Sequence, residues 1–484
     1  MNYKMMGRFI AQTLTAVALL MIPAWLISLF SGETQAMWSL LATIAIAGGL
    51  ILLLFGICRG APNVFGAKEG LVCVAISWTV ICLVGCLPFW FSRTIPSFID
   101  AFFEIVSGFT TTGASILSDV EALPKGLLYW RSFSHWVGGM GVLVFLLAVA
   151  PGDSKGSGFT LHLLRAESPG PDVGKLVPKM RKTALILYII YIVLTIANIL
   201  FLLAGGMNLL DAACTAFGTA GTGGFGIRND SFISLSPYLQ NVTTVFMILF
   251  GINFSCYYLL LLRQIKGVFK DEELRLYLGI IFAAIVMICL NVRSYYGTWE
   301  ETVRHASFQV ASIITTTGYT SFDYDLWPAF SKGILMILMF IGACAGSTGG
   351  GLKCSRLLLI TKVLRRNISK LLHPNRVQAI RINDRVVDEQ VLDNANAYLS
   401  AYMILLAASF MIISLDNFSL GTNFSAVVTC FNNVGPGFEL VGPTCNYSAY
   451  SPLSKLVLCF DMMAGRLELF PLLALFSRRT WRQR

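Results

Sequence analysis

Long apolar stretches separated by short polar ones dominate the chain. A membrane-spanning helix needs ~20 mostly apolar residues. Uncharged or nearly uncharged stretches of about that length run at 9–30, 37–58, 70–92, 132–152, 183–207, 236–262, 276–292, 333–352, 394–415 and 456–476, which predicts ten crossings. Four further apolar segments, near 98–118, 209–227, 303–322 and 419–438, are too short or too polar to span. Each follows a span closely and is rich in Thr, Gly, Ser or Asn. The first apolar run is too long for a cleaved signal peptide, and a second follows after a short gap, so both read as retained spans.

Charge placement tests that count. With ten crossings, residues 1–8, 59–68, 153–182, 263–275, 353–385 and 478–484 share one side, and 27 of the 36 Lys and Arg fall there. The positive-inside rule makes that side cytoplasmic, with both termini on it. The opposite loops carry Glu33, Asp119, Glu121, Asp230, Glu300, Glu301, Asp323 and Asp325. The bias would collapse if the four short segments also crossed, so they dip in from outside and return. Composition agrees: 56% of residues are hydrophobic and 13% charged, against about 25% charged in soluble domains. That excludes a cytosolic enzyme or a nucleic-acid-binding module, and the net charge of +10 becomes an orientation signal. The twelve cysteines include no CxxC pair and sit mostly inside spans, where they read as small buried hydrophobes. The four histidines are scattered, and no catalytic constellation appears.

The four short segments resemble one another. The first, Asp100 to Gly113 (DAFFEIVSGFTTTG), and the third, His305 to Gly318 (HASFQVASIITTTG), share seven of fourteen positions. The second keeps Asp211-Ala212 at the same offset and ends Thr222-Gly223-Gly224-Phe225-Gly226; the fourth, Thr422 to Gly435, is most diverged and ends Asn433-Val434-Gly435-Pro436-Gly437. The aligned glycines Gly113, Gly224, Gly318 and Gly435 lie 111, 94 and 117 residues apart. In the second copy Gly221 is an alternative register, which keeps an aromatic four residues upstream; Gly224 keeps the Asp-Ala pair. A repeat of this kind governs the architecture. It predicts an all-α polytopic membrane protein of four pseudo-repeated helix–pore helix–helix units around a central pore, after a two-helix prefix. The units divide as 1–68 prefix, 69–152 repeat 1, 153–182 cytoplasmic loop, 183–262 repeat 2, 263–364 repeat 3, 365–393 cytoplasmic loop and 394–484 repeat 4 with the C-terminus.

Irregular backbone at membrane depth is tolerated where it lines a watery cavity or is packed in protein. A glycine loop after a half-buried helix places bare carbonyl oxygens in such a cavity, and four loops around one axis can replace an alkali cation's water shell. The short helix, entering from outside, aims its partially negative C-terminal end at the same place. Packing of small residues between helices is the competing explanation for one copy; four copies at near-regular spacing favour the pore. The candidate cation-binding residues are Thr111, Thr112 and Gly113; Thr222, Gly223 and Gly224; Thr316, Thr317 and Gly318; and Asn433, Val434 and Gly435.

These motifs carry a resemblance. Thr222 to Gly226 looks like the TVGYG filter of potassium channels, and Thr316-Thr317-Gly318-Tyr319-Thr320 is a looser version. Over essentially its whole length the chain resembles the Trk/Ktr/HKT superfamily of potassium transporters, the TrkH type above all. Trp136-Val137-Gly138-Gly139-Met140-Gly141, Gly342 to Lys353 (GACAGSTGGGLK) and Gly465-Arg466-Leu467-Glu468 belong to that resemblance, and the two extra N-terminal spans fit TrkH better than KtrB. Sodium-selective plant relatives carry serine at the first filter glycine; Gly113 here implies potassium. Ala114 and Pro436 depart from a strict T-x-G-aromatic-G, which implies less stringent selectivity than in a symmetrical tetrameric channel. The resemblance implies potassium as the transported ion in a bacterial inner membrane, and a homodimer with one pore per protomer. A proton- or sodium-coupled cation symporter of the same fold is the alternative, since broken helices and repeats also mark that class.

Residues 342–351 hold five glycines inside the eighth span. Each Gly costs ~1 kcal/mol against Ala in a helix, so the helix breaks there. Gly346-Ser347-Thr348-Gly349-Gly350-Gly351-Leu352-Lys353 nearly matches a phosphate-binding loop, but Leu352 intrudes and no strand precedes, so no nucleotide is expected on this chain. The resemblance implies a gating loop beneath the filter. Arg466 sits inside an apolar span, where a central Arg costs ~2.5–3.5 kcal/mol, and Asp461 and Glu468 are off its helix face. It reads either as a tie to another helix or to loop carbonyls, or as a charge facing the pore; the resemblance makes it the family's pore arginine. The basic loop 353–393 anchors topology and meets anionic lipid. The resemblance adds docking of a TrkA-type cytosolic ring that binds nucleotide.

Overall fold

The structure is a computed structural model; it describes residues 2–60, 67–141, 180–375 and 378–481. Two long apolar helices, α1 (Tyr3–Phe30) and α2 (Thr34–Ile57), pair with each other as a prefix. Repeat 1 is α3 (Ala67–Gly85), the short α4 (Phe98–Phe109) and α5 (Lys125–Gly139). Repeat 2 is α6 (Met180–Ala204), α7 (Leu209–Ala220), α8 (Pro237–Phe250) and α9 (Phe254–Leu261). Repeat 3 is α10 (Glu272–Val292), α11 (Trp299–Ile314), α12 (Ala329–Ile341) and α13 (Cys354–Leu372). A two-strand hairpin, β1 (Arg381–Ile382) with β2 (Arg385–Val386), precedes repeat 4: α14 (Glu389–Ile413), α15 (Leu420–Phe431), α16 (Pro452–Arg466) and α17 (Phe470–Phe476).

Among the described residues, six unbroken helices are long and apolar enough to cross a membrane. They are the two prefix helices and the first helix of every repeat. The expectation of ten spans with only the eighth broken needs correction: among the described residues the second helix breaks in repeats 2 and 4 as well as in repeat 3. α5 stops at Gly139, before Gly141 with φ +79°; residues 142–152 of that expected span, and most of the expected loop 153–182, lie outside the described residues. α8 and α9 meet at 87° across Gly251–Asn253. α12 ends at Gly342, with φ +71°. α16 and α17 are separated by Glu468 and Leu469, both left-handed at φ +59° and +63°, and Pro471 opens the next helix. The segment 353–393 is likewise more ordered than a loop, because it contains α13 and the hairpin.

The short helices are built alike. Each starts at a polar N-cap (Ser97, Asn208, Thr298 or Ser419) whose side chain accepts the N–H three residues on, satisfying an orphan donor of the first turn. Three have 12 residues and α11 has 16, so the third enters one turn earlier than its sequence repeat suggests. Their walls are apolar and fully buried: Phe103, Val106 and Phe109 on α4, Ala216 and Ala220 on α7, Val310 and Ile314 on α11, Val427 and Phe431 on α15.

Candidate functional site: a ring of four loops above a broken-helix floor

All four short helices end four residues before their aligned glycine, at Phe109, Ala220, Ile314 and Phe431. The next residue is right-handed, with φ −76° at Thr110, −71° at Gly221, −80° at Thr315 and −95° at Asn432. The one after is left-handed: Thr111 +55°, Thr222 +52°, Thr316 +58°, Asn433 +55°. The glycines are left-handed again, at +81°, +72°, +83° and +93° for Gly113, Gly224, Gly318 and Gly435. In between, the N–H of Thr112, Gly223, Thr317 or Val434 donates back five residues, at 2.8–2.9 Å. This is the Schellman cap, a place that normally takes glycine. Branched threonine in the left-handed region costs of order 1–3 kcal/mol, and such strain concentrates at functional sites. The shared pattern also fixes the second register on Gly224 rather than Gly221.

The loops close on one another. A Cβ built on Gly113 would fall 2.1 Å from the Gly223 carbonyl oxygen, one on Gly224 1.8 Å from that of Thr317, one on Gly318 2.3 Å from that of Val434, and one on Gly435 2.5 Å from that of Thr112. Each repeat therefore leans its glycine on the next repeat's loop, 1 to 2 to 3 to 4 and back to 1. Only glycine allows that approach, and left-handed φ demands it a second time. Backbone carbonyls in a ring of this kind are the groups that can replace a cation's water shell. Two polar atoms of the ring, Thr111 Oγ1 and Asn433 Oδ1, are buried with no hydrogen-bond partner among the described residues. Unpaired buried oxygens of this kind suit a cation or its water. Asn433 Nδ2 donates to Thr112 Oγ1 (3.0 Å) and to the Met462 carbonyl (2.9 Å), fastening loop 4 to loop 1 and to α16.

Beneath the ring lie the helix breaks. Gly346, Ser347, Thr348, Gly349, Gly350 and Gly351 form a non-helical stretch between α12 and α13, with Lys353 at its end. Gly350 N–H donates to Thr316 Oγ1 (2.6 Å), and a Cβ on Gly350 would meet the Asn432 carbonyl at 2.4 Å, so this stretch underlies loops 3 and 4. Lys353 is buried and its Nζ donates to the Gly349 carbonyl. Phe254 N–H donates to the Gly346 carbonyl (3.0 Å), joining the loop to the α8–α9 bend. Arg466 ends α16 and reaches across the floor: Nη1 donates to the Thr348 carbonyl (3.0 Å), and Nη2 to the carbonyls of Gly138 and Gly139, the latter at 2.6 Å. Of the two readings of Arg466, the geometry supplies the tie to loop carbonyls, and it joins repeats 4, 3 and 1.

Three polar residues that the sequence pattern leaves unremarked support the ring from behind. His135 on α5 pairs through Nδ1 with the Gly108 carbonyl (2.8 Å) and through Nε2 with Phe225 N–H (3.3 Å); the second bond makes Nε2 an acceptor and the ring neutral. Arg131, one turn earlier, is 2% exposed and bridges Glu104 of α4 at 2.7 Å. Its guanidinium also donates to the Gly226 carbonyl (3.1 Å) and lies 3.6 Å from the centre of the Phe225 ring. Arg131 falls just outside the expected span 132–152. Arg131 and His135 at i and i+4 on one apolar helix, with Glu104 and Gln309 nine residues before their glycines, were the available signal.

Fold and site together define a polytopic membrane protein with four pore-type repeats. The family model of TrkH, a cation transport protein, matches residues 43–482, and the chain belongs to that family. It is 38% identical over 427 residues to the Trk system potassium uptake protein TrkH of Escherichia coli K12, covering 86% of each chain. It is 32% identical to the protein of that name from Halomonas elongata, over the whole of both chains. The crystal structure of the potassium transporter TrkH from Vibrio parahaemolyticus superposes along both full chains with a TM-score of 0.88 at 30% identity.

Proposed function

We propose that this protein takes up potassium across the bacterial inner membrane through the four-loop ring. The observation that carries this reading is the cyclic contact of each loop glycine with the next loop's carbonyl, on a backbone of alternating hand. Thr111-Thr112-Gly113, Thr222-Gly223-Gly224, Thr316-Thr317-Gly318 and Asn433-Val434-Gly435 hold the dehydrated ion, whose water shell their oxygens replace. The relatives' printed names, potassium uptake protein and potassium transporter, supply the ion. Loop 342–353 occludes the inner path and Arg466 discourages cation occupancy below the ring. The mainly basic loops face the cytoplasm, as do both termini, and meet anionic lipid. The protein works as a homodimer with one pore per protomer, and a separate TrkA-type ring supplies nucleotide control.

The test is isotopic potassium uptake into proteoliposomes with an imposed membrane potential and no pH or sodium gradient. Channel-like conduction gives uptake under those conditions. Silence until a proton or sodium gradient is added would establish coupled symport in its place.

A further inference from the structure

We propose that Glu273 is a positioning residue for the intramembrane loop 342–353, and that the tip of the cytoplasmic hairpin sets Glu273. The inference rests on the gating role proposed for that loop. Glu273 lies in the first turn of α10, is 9% exposed, and its Oε1 accepts the Ala345 N–H at 2.6 Å. A carboxylate this buried depends on its donors, and an unmade bond leaves it desolvated without compensation. Ala345 lies between two anchors of the same loop: Cys344 N–H donates to the Gly251 carbonyl (3.1 Å) and Gly346 accepts from Phe254 N–H. Glu273 thus holds the segment that joins the floor of repeat 3 to the bend of repeat 2.

The residues just before Glu273 are gripped from the cytoplasmic side. Asn383 and Asp384 form the hairpin turn with φ +50° and +63°, the two-residue geometry that Asn and Asp tolerate. Asn383 Oδ1 accepts the Glu272 N–H (2.9 Å), Asn383 N–H donates to Glu272 Oε1 (3.0 Å), and Asn383 Nδ2 donates to Asp271 Oδ2 (2.8 Å). The tip therefore satisfies an orphan donor at the start of α10. Lys362 of α13 adds a bond to Glu272 and one to the Arg381 carbonyl (2.6 Å). Behind the hairpin, Leu359, Ile380 and Leu392 pack as a small apolar cluster of their own. The path runs from an exposed turn, through Asp271 and Glu272, to Glu273 and the loop. A partner or ligand that lifts the hairpin would loosen the loop without entering the membrane.

The test uses the full chain in proteoliposomes, with Glu273→Ala, Glu273→Gln and Asn383→Ala. Native Cys344 and Cys354 lie in and beside the loop and are fully buried, as are Cys214 and Cys430 in two of the short helices. A membrane-impermeant maleimide is applied from the cytoplasmic side and modification is read by peptide mass spectrometry. We expect Glu273→Ala to speed modification of Cys344 or Cys354 at least tenfold. Asn383→Ala should speed it severalfold, and Glu273→Gln, which keeps an acceptor, should stay within twofold of wild type. Cys214 and Cys430 should remain protected, which separates loop release from unfolding. Should Glu273→Ala itself unfold the chain, Asn383→Ala, an exposed position, decides the matter. Unchanged labelling in Asn383→Ala would overturn the hairpin link, and unchanged labelling in Glu273→Ala the positioning role. Faster labelling with unaltered potassium flux would uphold the latch and sink the gating role of the loop instead.

Discussion

The ring and the floor beneath it are made by the same four repeats on opposite principles. In the ring, every repeat does the same thing: a capped short helix, a left-handed residue, a left-handed glycine, and a contact with the next repeat. In the floor, every repeat does something different. In repeat 1 helix α5 stops at a glycine pair, repeat 2 bends by 87°, repeat 3 inserts a glycine-rich loop, and repeat 4 contributes Arg466. A cation on the axis needs matched donors on all sides, so the ring tolerates little divergence. An occluding element must differ from its surroundings, because four identical segments would meet symmetrically and leave an opening or clash. The fourfold sequence repeat is therefore kept in the ring and lost in the floor.

The comparison breaks most readily in the ring. Gly224→Ala puts a methyl 1.8 Å from the Thr317 carbonyl at a left-handed position. Potassium uptake should fall at least a hundredfold while the protein still inserts. Gly48→Ala, with nothing within 4 Å of the added carbon, is the control and should leave uptake unchanged. Next comes the support behind the ring. Arg131→Ala strands the buried Glu104 carboxylate, and removal of one partner of a buried pair costs about 3–5 kcal/mol. Thermal unfolding in detergent should shift down by many degrees. Replacing both partners with apolar residues should recover much of that loss, and a double loss larger than the single would contradict the account.

Changes in the floor should have the opposite sign. Arg466→Ala removes the guanidinium bonds to Thr348, Gly138 and Gly139 together with the charge. Uptake should hold or rise severalfold; abolished uptake in a normally folded protein would refute the barrier role. The smallest effect lies at the outer rim. The hydroxyls of Ser419 and Thr422 on the Glu439 carboxylate hold its pKa below the usual range. Those bonds then stabilise the fold at neutral pH and are lost as pH falls through the lowered pKa. Thermal stability should dip slightly below about pH 4 in the wild type, and Glu439→Gln should flatten that dip.

The same contrast explains what the sequence discloses. Six unbroken spans follow from apolar length, and the four ring loops follow from repetition, because both are local properties. The break after Ile341 is legible in its glycines. The break at Glu468 and Leu469 carries no glycine at the left-handed positions; its local signal is Pro471, which a helix interior does not accept. His135 and Arg131 leave only their i and i+4 spacing as a trace: their partners, Phe225 and Gly226, lie about ninety residues away and meet them only once the repeats assemble.

The proposed function requires that the four glycine-bearing loops act as one closed, ion-selective ring. Its most direct test is potassium against sodium uptake in proteoliposomes, for wild type and Gly113→Ser, with an imposed potential and no pH gradient. A serine Cβ at position 113 would lie 2.1 Å from the Gly223 carbonyl, so that oxygen must move. Wild type should take up potassium preferentially, and the variant should clearly lose that preference. An unchanged preference in a folded Gly113→Ser protein would contradict it.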